Sequence, residues 1–586
     1  MCSSLPAKGT TLPARRAERN WQHGLWPLSR GGAGRSEGSR APHRYNCRRR
    51  RRAWSAALPR GRELYEGMWV EVLISLLVVA TSTSLAWFLR RKRKLGFFHR
   101  HGIPGPEPEL FWGNFKQLKE DRLQVMERWI SEYGKVFGYY SGEEPYMVVA
   151  DPEMVKQCLV KEFPTFHDRP PFVLSVEPFT SCLLELKGAE WKRVRSVLNA
   201  TFSSLKMKQM APIVRSCVDG MMEVLEERYQ SHEPVDMLKA AQGYSLDVIT
   251  KCAFAWQVNC QKNPNDPLLL GVRKIFEEAE SPAVQNAIRF PVLRSVLTAL
   301  YRLSDYYRVM HRMIDNLCHV IALRRQGQKP TATDMLQLML EAQAGAEDTH
   351  PEAARRDVHL IEDRHVVGNA FIFLAAGFET TATSLGFLVY LLATHPDEQE
   401  RLCAEMEASF GEDEPTYEGA QSLKRLDMVV QESLRIYPPV VLFVSRRCQK
   451  DTTIMGQFFP AGVNIMIPTW HLHHDPALWQ DPFEFRPERF DPEGNGNLPQ
   501  HPAAFLPFGM GPRLCIGKRF ALLELKMAAC RILREYRLLP CEKTPIKLVV
   551  PSIIINPERG VLVKLERRRV DSKSAATNTS RETAAP

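Results

Sequence analysis

Apolar residues recur three and four positions apart in most of the chain, the spacing of one helical face, and this period returns in segment after segment from residue 152 onward. A period of two surfaces only briefly. It marks residues 136–140 and 146–149, on either side of Gly142, and residues 549–555 and 561–565 near the end. The pattern predicts a mainly α protein with small β-sheets. Helices are expected over residues 152–161, around Trp191, through 366–393, over QESLRIY before Pro438 and Pro439, and over 518–533.

Three apolar segments depart from simple amphipathicity. Residues 68–89 (MWVEVLISLLVVATSTSLAWFL) are followed at once by Arg90, Arg91, Lys92, Arg93 and Lys94. About 20 such residues span a bilayer, and a basic flank stays on the cytoplasmic side. A cleaved signal peptide is the rival, but its basic residues should come first. Residues 366–393 are as long, yet Ala376-Gly377-Phe378-Glu379-Thr380-Thr381 sets a carboxylate and hydroxyls at their centre. A charge there costs about 3 kcal/mol in lipid, so a buried helix touching a cofactor is expected. Residues 289–303 (RFPVLRSVLTALYRL) mix apolar and basic positions. A core-facing amphipathic helix is the default, and a membrane-dipping helix is the alternative.

Charge divides the chain further. Residues 1–67 hold 15 Lys and Arg against 4 Asp and Glu, which accounts for the whole net charge of +11. Rich also in Gly, Ser and Pro, they read as a disordered basic extension: a tail, a transit segment, or upstream sequence preceding the true start at Met68. The expected organisation is this extension, a transmembrane anchor at 68–89, a basic and proline-rich hinge at 90–108, a catalytic body at 109–568 and a polar tail at 569–586. The 13 cysteines are scattered without a CxxC pair, which argues for a reducing compartment and against a disulfide scaffold or zinc site. The balanced body gives no reason to expect nucleic acid.

The segment Phe508-Gly509-Met510-Gly511-Pro512-Arg513-Leu514-Cys515-Ile516-Gly517 puts a cysteine just ahead of a helix. Unpaired N–H groups and the positive helix end favour a thiolate there, and glycines let a flat cofactor approach. A half-buried structural cysteine is the plain alternative. The spacing misses the phosphate-loop template, having one residue too many between Gly511 and Gly517.

The complete pattern FxxGxRxCxG resembles the haem-binding loop of the cytochrome P450 family. Other segments resemble that family in order: AGFETT its oxygen-activation motif, Glu432-x-x-Arg435 its ExxR motif, Arg486-Pro487-Glu488-Arg489-Phe490 its PERF segment, and Trp191-x-x-x-Arg195 its WxxxR motif. The resemblance covers roughly 95–565 and is strongest to the microsomal clan containing subfamily 3A and thromboxane synthase. It implies a helix-rich P450 fold and a haem b cofactor with Cys515 as the axial thiolate ligand. Phe508 and Ala376 would contact the haem, and Trp191, Arg195, Arg169, Arg446 and Arg513 would hold its propionates. Thr380 and Glu379 would deliver protons, and Glu432, Arg435 and Arg489 would form a buried structural network. It further implies a monooxygenase of the endoplasmic reticulum membrane, single-pass with its body in the cytosol. Such an enzyme oxidises lipophilic small molecules such as xenobiotics, steroids or fatty acids with dioxygen. Its electrons come from an NADPH-dependent reductase, with cytochrome b5 as a further partner, and Lys518, Arg519 and Lys526 are candidates for docking it. Two alternatives stay open: a peroxide isomerase like thromboxane synthase, needing no reductase, and a non-catalytic haem sensor.

Overall fold

The computed structural model describes residues 60–277, 281–327, 334–348, 361–411, 413–493, 501–551 and 553–568. Expectations for residues 1–59 and for the tail at 569–586 lie outside them. The chain divides into two compact units, Met1–Thr81 and Ser82–Pro586.

Helix α1, Arg60–Leu95, starts eight residues inside the segment expected to be disordered and outruns the expected anchor at both ends. Its stretch Met68–Leu95 has mean hydropathy 2.1 and no buried share, so by length and composition it can cross a membrane. Not all of the basic cluster that follows is free. Arg91 is 1% exposed; its Nε donates to Leu110 O (2.9 Å), its Nη2 to Phe111 O (2.8 Å), and its Nη1 pairs with Glu143 (3.0 Å). The proline-rich segment after it is packed down, with Gly138 N–H bonded to Pro104 O at 2.8 Å.

The two early period-two runs form β1 (Val136–Ser141) and β2 (Glu144–Val149), antiparallel about Gly142, whose φ of +66° suits the turn. They join β3 (Val444–Arg447) and β4 (Asn464–Ile467) in a sheet ordered β1-β2-β4-β3, with β2 and β4 parallel. Between these strands lie the helices that carry the chemistry: α2 (Gly188–Thr201), α3 (Met237–Phe254), α4 (Asp363–Thr394) and α5 (Lys424–Ile436). The short α6 (Thr469–His474) and the long α7 (Lys518–Glu535) follow, and β5 (Tyr536–Pro540) pairs with β6 (Leu562–Arg567).

Helix α4 is apolar on nearly every side because it runs through the core; 83% of its most apolar window is buried, so it is no second membrane span. Its start is fixed by a reciprocal cap in which the Glu362 carboxylate accepts from the His365 N–H and the Glu362 N–H donates to His365 Nδ1 (3.0 Å). Gly377 lets α3 come close: a Cβ there would stand 3.0 Å from Ile249 Cγ1. The helix runs unbroken past Gly377 without a bulge.

Three local expectations are corrected. Residues 152–161 begin as an α-helix but become a π-turn at Gln157–Lys161. Residues 549–555 are not one strand: the two-residue strands Leu548–Val549 and Asn556–Pro557 pair with each other across the segment containing Pro551, which has no N–H for a ladder. Residues 289–303 are not a core-facing helix. One helix ends at Arg289, Pro291 opens a 3₁₀ turn, and a second helix spans Arg294–Tyr301. Val292 (70%), Val296, Leu300 and Leu303 (73%) stand exposed.

Candidate active site

The cysteine loop is built by backbone bonds. Gly509 N–H donates to Leu506 O (3.0 Å), Leu514 N–H to Gly511 O (2.9 Å) and Cys515 N–H to Phe508 O (2.9 Å). Gly511 has φ +75°, and a Cβ there would fall 2.1 Å from Leu159 O, so only glycine fits. Cys515 lies two residues before Gly517, the N-cap of α7. It is exposed, yet surrounding protein desolvates it enough to dominate its titration; the sulfur faces an internal space.

The thiolate expected from the helix mouth alone is not what the surroundings favour. Burial pushes the Cys515 thiol up, against the N–H groups of Gly517 and Lys518 and the charges of Arg195 and Arg169, which pull it down. A metal cation at the sulfur reverses that balance, since a coordinating thiol is deprotonated outright.

Beside the sulfur stands a cluster of guanidinium groups. Arg446 is 1% exposed; its Nη1 donates to Ser445 O (2.7 Å), its Nε has no partner, and burial with the charges of Arg169 and Arg513 drives its pKa far down. Arg169 donates to Phe443 O (3.2 Å) and lies 4.6 Å over the Phe443 ring; burial lowers it to about 10. Arg195 donates to Leu514 O (2.8 Å) and Asn199 Oδ1 (3.0 Å). Arg513 stacks 4.3 Å over Trp191 and bonds the carbonyls of His167, Leu183 and Leu186, so it first of all ties residues 167–186 to the loop; burial brings it down to about 9. The carboxylate paired with this cluster, Asp168, is 3.5 Å from Arg513 and already accepts from Gly188 N–H (2.9 Å). Four crowded cations beside one carboxylate are costly unless further anions join them, and the two propionates of a haem supply that charge.

Helix α4 presents the third component. Ala376 is exposed, and Gly377 and Thr380 are half-buried, in a run otherwise buried. Thr380 Oγ1 donates to Ala376 O (2.7 Å), which leaves its lone pairs to accept. Glu379 is turned elsewhere. Its Oε2 accepts from Gln242 Nε2 (3.0 Å), and Gln242 Oε1 accepts from Arg273 Nε (3.2 Å) and Nη2 (2.7 Å). This group borders a cavity of about 480 Å³ lined also by Asp236, Lys239, Asn556 and Arg559. Burial raises the Glu379 carboxyl above its ordinary range.

Beneath the loop Glu432, Arg435 and Arg489 meet, all buried. Arg435 Nε and Nη2 bond the two Glu432 oxygens (2.7 and 2.8 Å), and Arg489 Nε reaches Oε1 at 3.2 Å. The network also secures backbone: Arg435 Nη1 donates to His473 O (2.9 Å) and Pro482 O (2.7 Å), Arg489 Nη2 to Asp481 O (2.7 Å), and Arg486 N–H to Glu432 (3.0 Å).

Sequence reasoning missed Gln242 and Arg273, which carry no motif and lie far from Glu379 in the chain. It also misjudged Lys526, which is 3% exposed and paired with Asp427 at 3.0 Å, so it is no docking cation. Glu190, Glu362 and His365 group as metal ligands could. Both His365 nitrogens are used, however, Nε2 toward Glu190 (3.0 Å) and Nδ1 in the cap.

Comparison with known proteins agrees with this geometry. A family model described as Cytochrome P450 matches residues 103–565. Cytochrome P450 3A29 of Sus scrofa is 35% identical over 476 residues, 80% of this chain and 92% of the relative. Cytochrome P450 3A7 of Homo sapiens is 34% identical over 505 residues, covering 85% and 96%. Lithocholate 6-beta-hydroxylase of Mesocricetus auratus matches to the same extent, 34% over 505 residues. A cysteine at a glycine-bounded helix mouth, an unbalanced arginine cluster and a core helix opened at Ala376 and Thr380 are what a haem-thiolate enzyme needs, and this chain belongs to the cytochrome P450 family of haem-dependent monooxygenases.

Proposed function

We propose that the protein is a membrane-anchored monooxygenase of lipophilic small molecules, with Cys515 as the axial ligand of its haem. When bound, haem supplies dioxygen activation at its iron, and thiolate ligation favours O–O cleavage. Arg169, Arg195 and Arg446 hold the propionates, with Trp191 and Arg513 fixing the wall behind them, and Phe508 and Ala376 border the ring. The reaction joins one atom of dioxygen to a substrate C–H bond. The other leaves as water, with two electrons from NADPH through a separate reductase and two protons through the protein.

Thr380 and Glu379 divide the proton work. Thr380, its own proton held on Ala376 O, accepts a hydrogen bond from the exposed space beside Ala376. Glu379, kept protonated more readily by burial, takes up protons from the polar cavity beside Gln242 and Arg273. The observation that carries the reading is the arginine cluster beside Cys515 with one carboxylate paired to it. An isomerase consuming a peroxide needs no proton supply, so the Glu379–Thr380 pair favours the monooxygenase.

The substrate space borders Phe172, Phe179, Phe371 and Phe443, whose rings contact one another in series at 5.1–6.3 Å. The relative named lithocholate 6-beta-hydroxylase supports steroid-like substrates among others. The endoplasmic reticulum is the proposed location, with α1 as the single span and the body in the cytosol. The reduced, carbon-monoxide-bound protein should show the red-shifted band of thiolate ligation and form hydroxylated product only with reductase and NADPH. Cys515→Ala should abolish both. The band persisting in that variant overturns the ligand assignment, and turnover of a peroxide without reductase favours the isomerase.

A further inference from the structure

His473, in α6, is 0% exposed and spans two parts of the site that share no motif. Its Nδ1–H donates to the carbonyl of Arg435 (3.1 Å), in the last turn of α5, where the helix leaves a carbonyl without an intrahelical partner. Its Nε2 accepts the N–H of Leu506 (2.8 Å). The two bonds fix one neutral tautomer, because a ring that both donates and accepts cannot carry a second proton. Arg435 returns the contact by donating its Nη1 to His473 O. Residue 435 and residue 473 therefore bind each other twice, side chain to backbone in both directions.

From Leu506 the connection enters the cysteine loop. Leu506 O closes the turn to Gly509, and Phe508 O receives the N–H of Cys515. The Phe505 ring packs 5.4 Å from the imidazole, and Trp479 Nε1 holds the adjacent Leu472 carbonyl (3.1 Å), so His473 itself is immobilised. The groups facing the imidazole are the Arg435 guanidinium and His474, which oppose its protonation, and no acid appears among its charged neighbours. The Glu432–Arg435–Arg489 network holds α5 and the backbone of residues 481–486, but none of its bonds given above reaches residues 506–515. His473 makes that link.

We propose that His473 is a positioning residue of the cysteine loop, transmitting the rigidity of the buried ion network through a neutral imidazole to the backbone of Leu506. The proposal rests on Cys515 as haem ligand, and its test separates the two. In the full-length haem-loaded protein three variants differ in what they keep. His473→Gln retains an acceptor near Nε2, His473→Asn retains only a donor near Nδ1, and His473→Phe retains only ring volume. His473→Asn and His473→Phe should lose most of the thiolate band of the reduced carbon-monoxide complex. Their amide hydrogen exchange should rise about tenfold in the peptide holding residues 506–515 and nowhere else. His473→Gln should keep both signals near those of the native protein. Unchanged exchange and spectrum in the Asn and Phe variants overturn the proposal, as does an equal loss in all three with exchange raised throughout. If Cys515→Ala keeps the thiolate band, the ligand assignment fails, while the exchange of residues 506–515 still decides the role of His473.

Discussion

Glu379 and Thr380 are neighbours in sequence with different surroundings, because successive helix residues turn by about 100°. The polar pair was legible as an anomaly in an apolar run. What each faces was not, since Gln242 lies 137 residues before Glu379 and belongs to no pattern. Burial raises the Glu379 carboxyl, so the unfolded chain releases that proton at lower pH than the folded one. Its contribution to stability is full below the ordinary carboxylate range and is lost as pH rises through the raised folded value. Glu379→Gln cannot ionise. Its melting temperature relative to the native protein should therefore rise with pH across that window, while product formation falls about 10²- to 10⁴-fold. Native turnover in this variant removes Glu379 from proton delivery, and a stability gap that stays constant with pH removes the neutral buried carboxyl.

At the scale of elements, α5 and α7 were readable because apolar spacing and their motifs coincide. The segment at 289–303 was misread because its composition permits one helix while Pro291 and Phe290 divide it. His473 escaped notice because HLHHDP offers three histidines, and nothing in their order marks the one whose imidazole bridges α5 and the loop. The ion network shows how such elements are joined. Removing one member of a buried pair costs about 3–5 kcal/mol, so Arg435→Leu should destabilise by that order in chemical denaturation. Replacing a buried pair with apolar groups is often nearly neutral, but here Arg435 also bonds the carbonyls of His473 and Pro482, and Glu432 accepts the Arg486 N–H. The double variant Glu432→Leu/Arg435→Leu should therefore recover little of the loss. Full recovery reduces the network to a local ion pair.

For the whole molecule the decisive pattern is where apolar surface remains uncovered on the larger unit. Trp87 stacks on Phe111 at 5.6 Å, Phe111 meets Phe290 at 5.9 Å, and Arg289 lies over both Phe111 and Trp112. Next to this aromatic junction the exposed Val292, Val296, Leu300 and Leu303 project from residues 292–303. A soluble surface has no use for four such neighbours beside arginines, whereas a bilayer accepts the apolar tips and the basic residues meet its headgroups. The membrane-dipping alternative for this segment thus accounts for both its exposure and its charge. An aspartate at each of two positions removes apolar contact worth more than tenfold in lipid affinity. Val296→Asp/Leu300→Asp should leave the protein anchored through α1 and its thiolate band intact. It should raise KM for a bilayer-dissolved substrate in vesicles several-fold and change it little for a water-soluble one. Equal KM values for native and variant protein in vesicles place this segment in water, and substrate entry must then be sought elsewhere on the body.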